Sequence, residues 1–585
     1  MMVWSWGTWP DVLIDFGAQL YLAWRLATGQ VLYTEIAHLK GPLSPYLNAL
    51  LFRMFGVGLY TLVLGNLVIV GGVLYLLYQV LVEISNRFAA TLACLVFIAI
   101  FGFGQYVGIG NYNFICPYSH EVTHGFTLSL VAIYYLSKYL KQRHHAALIG
   151  AGLATGLVFL TDVHLFVSVV GAMLVALACS IWMEPGSHRR SFSLLGTFIG
   201  IATGPPTIAY VLLCFVMPRG EALRAILGQW QLILSPTVMA ATFYRQGMGT
   251  LGARVNLYRM VIWTGGYLCV FFPVAVLSLL IRQRGIPRAI VVTILCLIMI
   301  VVLWSIPINW YGMARPFPLA MVVLIVVSVR QLLNTRASIR LHHRLLLQLA
   351  MAVWALALLG KMLLNARVYH YGFTLAVPAT LLVVLALVCW LPVFISQQGG
   401  DGELFRAVAV TTIGVVVALH LRVVGAWFKS KPFLVSKGAD AFLANTRGVV
   451  VNEALEEISR HMAPHETLAV LPHGVMLNYL SRRVNPSPYI ALDPVALSVF
   501  GEGEVLRSFQ TRPPDYIALV HIDFSEFGFR FFGRDYGQQI YSWIEAHYEN
   551  VVLIGTPPLH GEGFGILLLT KRRMPHPSGV RMKAP

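Results

Sequence analysis

Five consecutive residues, His120-Glu121-Val122-Thr123-His124, match H-E-x-x-H. On a helix the two imidazoles share one face and can bind zinc, and the glutamate can act as a general base. No third ligand follows at a familiar spacing. A second population of polar residues is wider. Asp15, Arg25, Glu35, His38 and Lys40 crowd the first 57 residues, and Asn111, Asn113, His120, Glu121 and His124 fall within 110–125. Asp162 and His164 follow, then Arg245, Arg254 and Arg259, then Arg315, and last Asn365, Arg367, His370 and Tyr371. Carboxylates beside lysines and arginines suit acid–base chemistry on a phosphate-bearing substrate: the carboxylate takes a proton and the cations neutralise the phosphate. The competing reading is a set of solvated loop residues. Asp162 in particular fits a helix cap.

The elements that must hold these residues are membrane spans. Of 585 residues, 57% are hydrophobic and only 11% charged. A soluble domain carries about 25% charged residues, so lipid must cover much of this surface. A span needs about 20 apolar residues. Twelve candidates lie near 58–82, 88–104, 123–139, 145–162, 164–183, 192–217, 257–281, 289–306, 315–333, 346–364, 372–395 and 405–425, with the split inside 145–183 the least distinct. The net charge of +17 is concentrated in short loops at 138–145, 187–190, 282–288 and 330–344. The positive-inside rule puts these loops in the cytoplasm and takes up most of the charge, so nucleic acid is not an expected partner. Every chemistry-bearing loop then faces outward, with everything after residue 425. The lone Asp-Gly pair, Asp401-Gly402, falls on the cytoplasmic side, which argues against an intramembrane metalloprotease. Seven cysteines without a C-x-x-C pair support neither a disulfide framework nor a thiolate zinc site.

Three domains are expected: an outer loop with an interfacial helix (1–57), a transmembrane domain (58–425), and an extracytoplasmic α/β domain (430–585). In residues 43–56, Leu47, Leu50, Leu51, Met54 and Phe55 recur at helical spacing while Asn48 and Arg53 lie off the stripe, as in a helix lying in the interface. In the last domain, helical periodicity at 450–462 and 535–548 alternates with β-rich runs at 467–471, 515–521, 550–555 and 564–570. The opening MMVWSWGTWPDVL is too short and polar to cross a bilayer. Either this end is translocated without a leader, or a first span precedes the recorded start; the second is expected.

The N-terminal stretch carries a further pattern: Asp15-Phe16-Gly17, Tyr21, Tyr33-Thr34-Glu35-Ile36 and Lys40-Gly41-Pro42-Leu43-Ser44-Pro45-Tyr46. It resembles the first outer loop of GT-C glycosyltransferases, nearest to bacterial relatives of the protein mannosyltransferases and aminoarabinose transferases. Segments 111–125, 361–373, 471–483 and 530–540 resemble a bacterial branch of the same group. The resemblance implies a polytopic α-helical membrane protein of GT-C type with a C-terminal extracytoplasmic α/β domain, in the bacterial inner membrane. It also implies one span before the acidic residue, for about thirteen in all.

The implied reaction is an inverting transfer of a sugar from a polyprenyl-phosphate donor to a glycan, lipid or protein acceptor. Asp15 would be the general base and Lys40 would meet the donor phosphate. Glu35 and Asp162 are further candidate catalytic carboxylates, although relatives often carry Asp where Glu35 stands and a Lys-x-Glu-like element near 160–164. His120, Glu121, Arg315, Arg367 and His370 are candidate substrate-binding residues on the same side. Metal dependence varies among such enzymes, so no cofactor is implied and a divalent metal stays open. A transporter or flippase of lipid-linked sugars is the alternative. An inverted repeat would favour it, and none is apparent.

Overall fold

The computed structural model describes residues 1–108, 112–183, 188–281, 288–306, 310–334 and 339–572. Asn111 and parts of three basic loops (184–187, 282–287, 335–338) lie outside them.

Among the described residues, nine helices are long and apolar enough to cross a membrane. Two shorter apolar helices, Arg87–Gly102 and His145–Phe159, and the more polar helix His120–Gln142 occupy the remaining three expected positions. All twelve expected spans therefore coincide with helical segments. The uncertain split at 145–183 is a real break. Helix His145–Phe159 ends there, and helix Val163–Met183 starts at Asp162, whose Oδ1 accepts the His164 N–H at 2.9 Å.

Loop contacts sort the ends of the bundle as the charge pattern sorts them. At one end Lys141 meets Glu83 at 2.7 Å, His343 meets the same carboxylate at 3.5 Å, and Arg288 meets Asp401 at 3.3 Å. At the other end, the segments holding residues 1–57, 105–108, 112–122, 160–162, 242–248 and 360–371 pack together beneath the C-terminal domain.

Helix Leu43–Phe55 lies at this domain end. Leu50, Met54 and Phe55 are exposed, whereas Asn48 and Ser44 are buried. Off-stripe Arg53 is exposed as well, and Ala49 and Phe52 are buried beside Asn48, so the outer face is mainly apolar and the inner face mixed.

The C-terminal domain has a small hairpin, β1 (Phe433–Val435) and β2 (Phe442–Ala444), and a four-stranded sheet. The sheet strands are β3 (Leu468–Leu471), β4 (Tyr516–Val520), β5 (Tyr548–Gly555) and β6 (Gly565–Lys571), in the order β3-β4-β6-β5. β3 and β4 run parallel and the other neighbours antiparallel. The four β-rich runs of the sequence are these four strands. Helices Arg447–His461 and Gln538–His547 match the two periodic stretches. One face of the sheet has its own apolar core, including Leu471, Phe509, Leu519 and Ile540. The N-terminal segment docks the domain: Arg447 pairs with Asp11 at 2.7 Å, the Ala37 N–H donates to the Pro488 carbonyl at 2.9 Å, and Tyr21 Oη accepts the Asn485 N–H at 3.0 Å.

Candidate functional site

Asp15 is held from both sides. Before it, Asp11 Oδ1 accepts the N–H groups of Leu13 and Ile14, each at 2.9 Å, and fixes a tight turn. After it, helix Phe16–Ala27 packs so closely on the C-terminal domain that a Cβ on Gly17 would sit 2.6 Å from the Met476 Cβ. Between these constraints the Asp15 backbone takes φ 59°, ψ −85°, a sparsely populated conformation for a residue with a side chain. Such strain costs about 1–3 kcal/mol and persists only where the surroundings impose it. The carboxylate makes no cap bond to the helix it precedes. A purely structural role for Asp15 as a cap of this helix therefore has no geometric support. Burial, and then the nearby Asp11 charge, push its pKa well above the usual carboxylate range, against the pull of Lys40.

Lys40 is placed by backbone contact. The Gly41 N–H donates to the Thr161 carbonyl at 3.2 Å and the Leu43 N–H to the Leu160 carbonyl at 3.1 Å. A Cβ on residue 41 would fall 2.0 Å from the Leu160 oxygen, so only glycine fits. The Lys40 ammonium donates to Ser119 Oγ at 2.6 Å and lies 3.8 Å from Glu121 Oε2. Glu121 is fully buried. It accepts from Ser119 and from Gln19 Nε2 at 3.3 Å, and His38 Nε2 lies 3.4 Å away.

Two cavities meet at this lysine. One, of about 260 Å³, lies between the first outer loop and the C-terminal domain. Asp15, His38, Lys40 and Glu121 line one wall, His473 and Asp493 the other. The second, of about 150 Å³, is lined by Lys40, Tyr118, Asp162, Lys361, Arg367 and Tyr371 over a largely apolar floor. Lys40 and Tyr118 belong to both. The second cavity gathers cations. The Lys361 ammonium sits 4.3 Å from the Tyr371 ring centre, and buried Arg367 Nε has no partner among the described residues. Burial lowers the Arg367 pKa, yet a guanidinium stays charged at neutral pH. Asp162, the carboxylate here, caps its helix and also meets His164 Nδ1 at 3.3 Å. Burial pushes its pKa up, but the His164 hydrogen bond and nearby cations outweigh that and leave it below its ordinary value.

The geometry divides the expected residues. Asp15, Lys40 and Glu121 share the first cavity, and Lys40, Asp162 and Arg367 the second. Four others line neither. Glu35 is exposed and closes a local turn by accepting the Val31 N–H at 2.7 Å. Arg315 is a clamp, donating to Asn256 Oδ1 at 3.1 Å and Asn365 Oδ1 at 2.9 Å. His370 packs against Tyr112 and Tyr371 and meets Arg367 through Nδ1 at 3.3 Å. His120 turns inward to Asn48 at 2.6 Å and stacks on His124, with ring centres 5.1 Å apart. Glu121 points instead to Lys40, and Asp401 lies at the opposite end of the bundle. Among the described residues no three His, Cys, Asp or Glu are grouped to hold a metal ion. Lys361, His473 and Asp493 were missed by sequence reasoning. Lys361 was hidden in an apolar run, although it opens the segment 361–373 that carried the family resemblance.

No protein-family model and no curated protein sequence matches the chain. Solved structures do. ArnT from Cupriavidus metallidurans, bound to undecaprenyl phosphate, matches with a TM-score of 0.51 at 11% identity, over 97% of this chain and 96% of that one. The Archaeoglobus fulgidus oligosaccharyltransferase, in complex with zinc and sulfate, matches with a TM-score of 0.45 at 14% identity, over 88% of this chain and 65% of that one. The ArnT likeness shows the fold, a bundle of long apolar helices with a C-terminal sheet domain, alike nearly end to end.

Proposed function

We propose that this chain is an inverting membrane glycosyltransferase. It moves a sugar from a polyprenyl-phosphate carrier to an acceptor hydroxyl at the outer face of the bacterial cytoplasmic membrane. The observation that carries this reading is one carboxylate, Asp15, held without a cap bond in a strained turn, in a cavity that joins a basic pocket through Lys40. The carrier phosphate binds in the basic pocket against Lys40, Lys361 and Arg367. The acceptor hydroxyl lies in the first cavity beside Asp15. As its oxygen bonds to the sugar C1, the bond from C1 to the phosphate oxygen breaks and its electron pair leaves with the phosphate. The hydroxyl proton passes to Asp15. The raised pKa of Asp15 makes it a stronger base, and the cations stabilise the charge that builds on the leaving group. Asp162 and Glu121 hold the two pockets in shape, through the cap at 162 and the Lys40 pair.

The test has two parts. Mass spectrometry of envelope glycans with and without the gene should reveal one missing glycosyl residue. Purified protein in vesicles containing a labelled polyprenyl-phosphate sugar and an envelope acceptor fraction should release free polyprenyl phosphate as label moves to acceptor. Label that crosses the bilayer still attached to its carrier would identify a flippase and overturn the proposal.

A further inference from the structure

The first cavity has a wall that the transfer mechanism does not use, and that wall belongs to the C-terminal domain. β3 ends at Leu471 and the chain turns through Pro472-His473-Gly474. The carboxyl end of a parallel strand is a recurrent place for ligands. The Leu492 N–H donates to the Pro472 carbonyl at 2.7 Å and brings Asp493 beside this turn. Asp493 caps helix Pro494–Phe500: one oxygen, Oδ1, accepts the N–H groups of Val495 and Ala496, each at 3.0 Å. Its other oxygen has no partner among the described residues. His473 Nδ1 is buried and likewise has none. The His473 ring itself lines the cavity, so its imidazole can meet a bound group there. Burial lowers the His473 pKa, so the ring is neutral at pH 7 and offers one donor and one acceptor. Tyr489 and Phe500, with ring centres 5.0 Å apart, complete the wall.

The chemistry of this wall is selective. A carboxylate oxygen and a neutral imidazole accept from and donate to hydroxyls. Aromatic faces are electronegative and suit the weakly positive C–H face of a sugar ring. Away from Lys40, the charge balance disfavours anions. Glu121 is offset by Lys40 at 3.8 Å, while Asp15 and Asp493 carry no ion pair. A phosphate or carboxylate on the acceptor would meet two like charges, which costs affinity.

We propose that the C-terminal domain supplies half of the acceptor subsite, with His473 and Asp493 holding hydroxyls, and that the acceptor group is an uncharged glycosyl unit rather than a phosphate. The identity of the bound group as an acceptor rests on the transfer reading above; the binding itself can be measured without turnover.

The experiment uses the full chain in nanodiscs. Methyl glycosides of common hexoses and the 6-phosphates of the same sugars are titrated as probes by saturation-transfer NMR, and undecaprenyl phosphate is titrated separately. The best neutral glycoside should bind at least tenfold tighter than its phosphate. Asp493→Asn keeps an oxygen for the helix cap and should shrink that preference at least tenfold. His473→Gln should weaken glycoside binding about tenfold, and both variants should bind undecaprenyl phosphate as the wild type does. Phosphates binding as well as glycosides, no glycoside binding at all, or unchanged binding by both variants would overturn the subsite. If glycosides bind as expected but no sugar is transferred, the enzyme assignment fails and the subsite stands. If label is transferred to a phosphate or a peptide, the subsite fails and the enzyme assignment stands.

Discussion

Replacing Asp15 separates its chemistry from its structural role, because the two have opposite signs. A positive φ and a raised carboxylate pKa both make the residue a burden on stability. The folded-state pKa lies above the unfolded value, so the native state binds more protons in between. Stability therefore falls as pH rises through that window, and the loss is complete once the pH has passed the folded-state pKa. Asp15→Asn removes the charge, tolerates the same backbone, and loses no cap bond, since none exists. Its stability at pH 7 should equal or exceed that of the wild type. Asp15→Gly goes further. It relieves about 1–3 kcal/mol of backbone strain against about 0.5–1 kcal/mol of added chain entropy, a net gain of up to ~2.5 kcal/mol. Both variants lose the base and should transfer sugar about 10²–10⁴-fold more slowly. Thermal unfolding in detergent and release of polyprenyl phosphate measure the two effects on one preparation. The wild-type rate should fall on the acid side as Asp15 is protonated, at a pH above the ordinary carboxylate range, and Asp15→Asn should lack that limb. Wild-type transfer by Asp15→Asn would refute the assignment. Loss of stability in Asp15→Gly would show that the turn is not strained.

Three further outcomes follow from the geometry. Lys361→Met should raise the apparent KM for the lipid-linked donor about tenfold or more and flatten its salt dependence, because one of three cations around the phosphate is gone; an unchanged KM removes Lys361 from the site. Arg315→Ala should lower stability by about 1.5–3 kcal/mol in thermal denaturation without changing the donor KM, since it clamps Asn256 and Asn365 rather than substrate. A reporter fused after Lys429 should read as extracytoplasmic and one at Arg284 as cytoplasmic; both on one side would invalidate the orientation.

The helices and strands of this chain were legible in its residues because the signals for them are local. A bilayer demands about 20 apolar residues per span, a local requirement, so helices could be read at all twelve expected positions, and among the described residues nine helices are long and apolar enough to cross. Loop charge sorted the ends for the same reason, and the β-rich runs at 467–471 and 564–570 became strands because side-chain type and spacing are local signals. Asp15 and Lys40 stood out through short motifs, and they line one cavity. What the tertiary structure alone decided is their company. His120 and Glu121 are neighbours in sequence, yet adjacent helical positions do not face the same way, and only packing shows that one turns to Asn48 and the other to Lys40. Arg315 and Arg367 read alike as basic residues on one side of the membrane. Nothing in the sequence says that amide oxygens wait for the first and a cavity for the second. His473 and Asp493 stand more than 450 residues from Asp15 and share a cavity with it. A pairing over that distance depends on how a domain docks onto a bundle, through contacts such as Arg447 with Asp11, and such docking leaves no periodic mark in the chain.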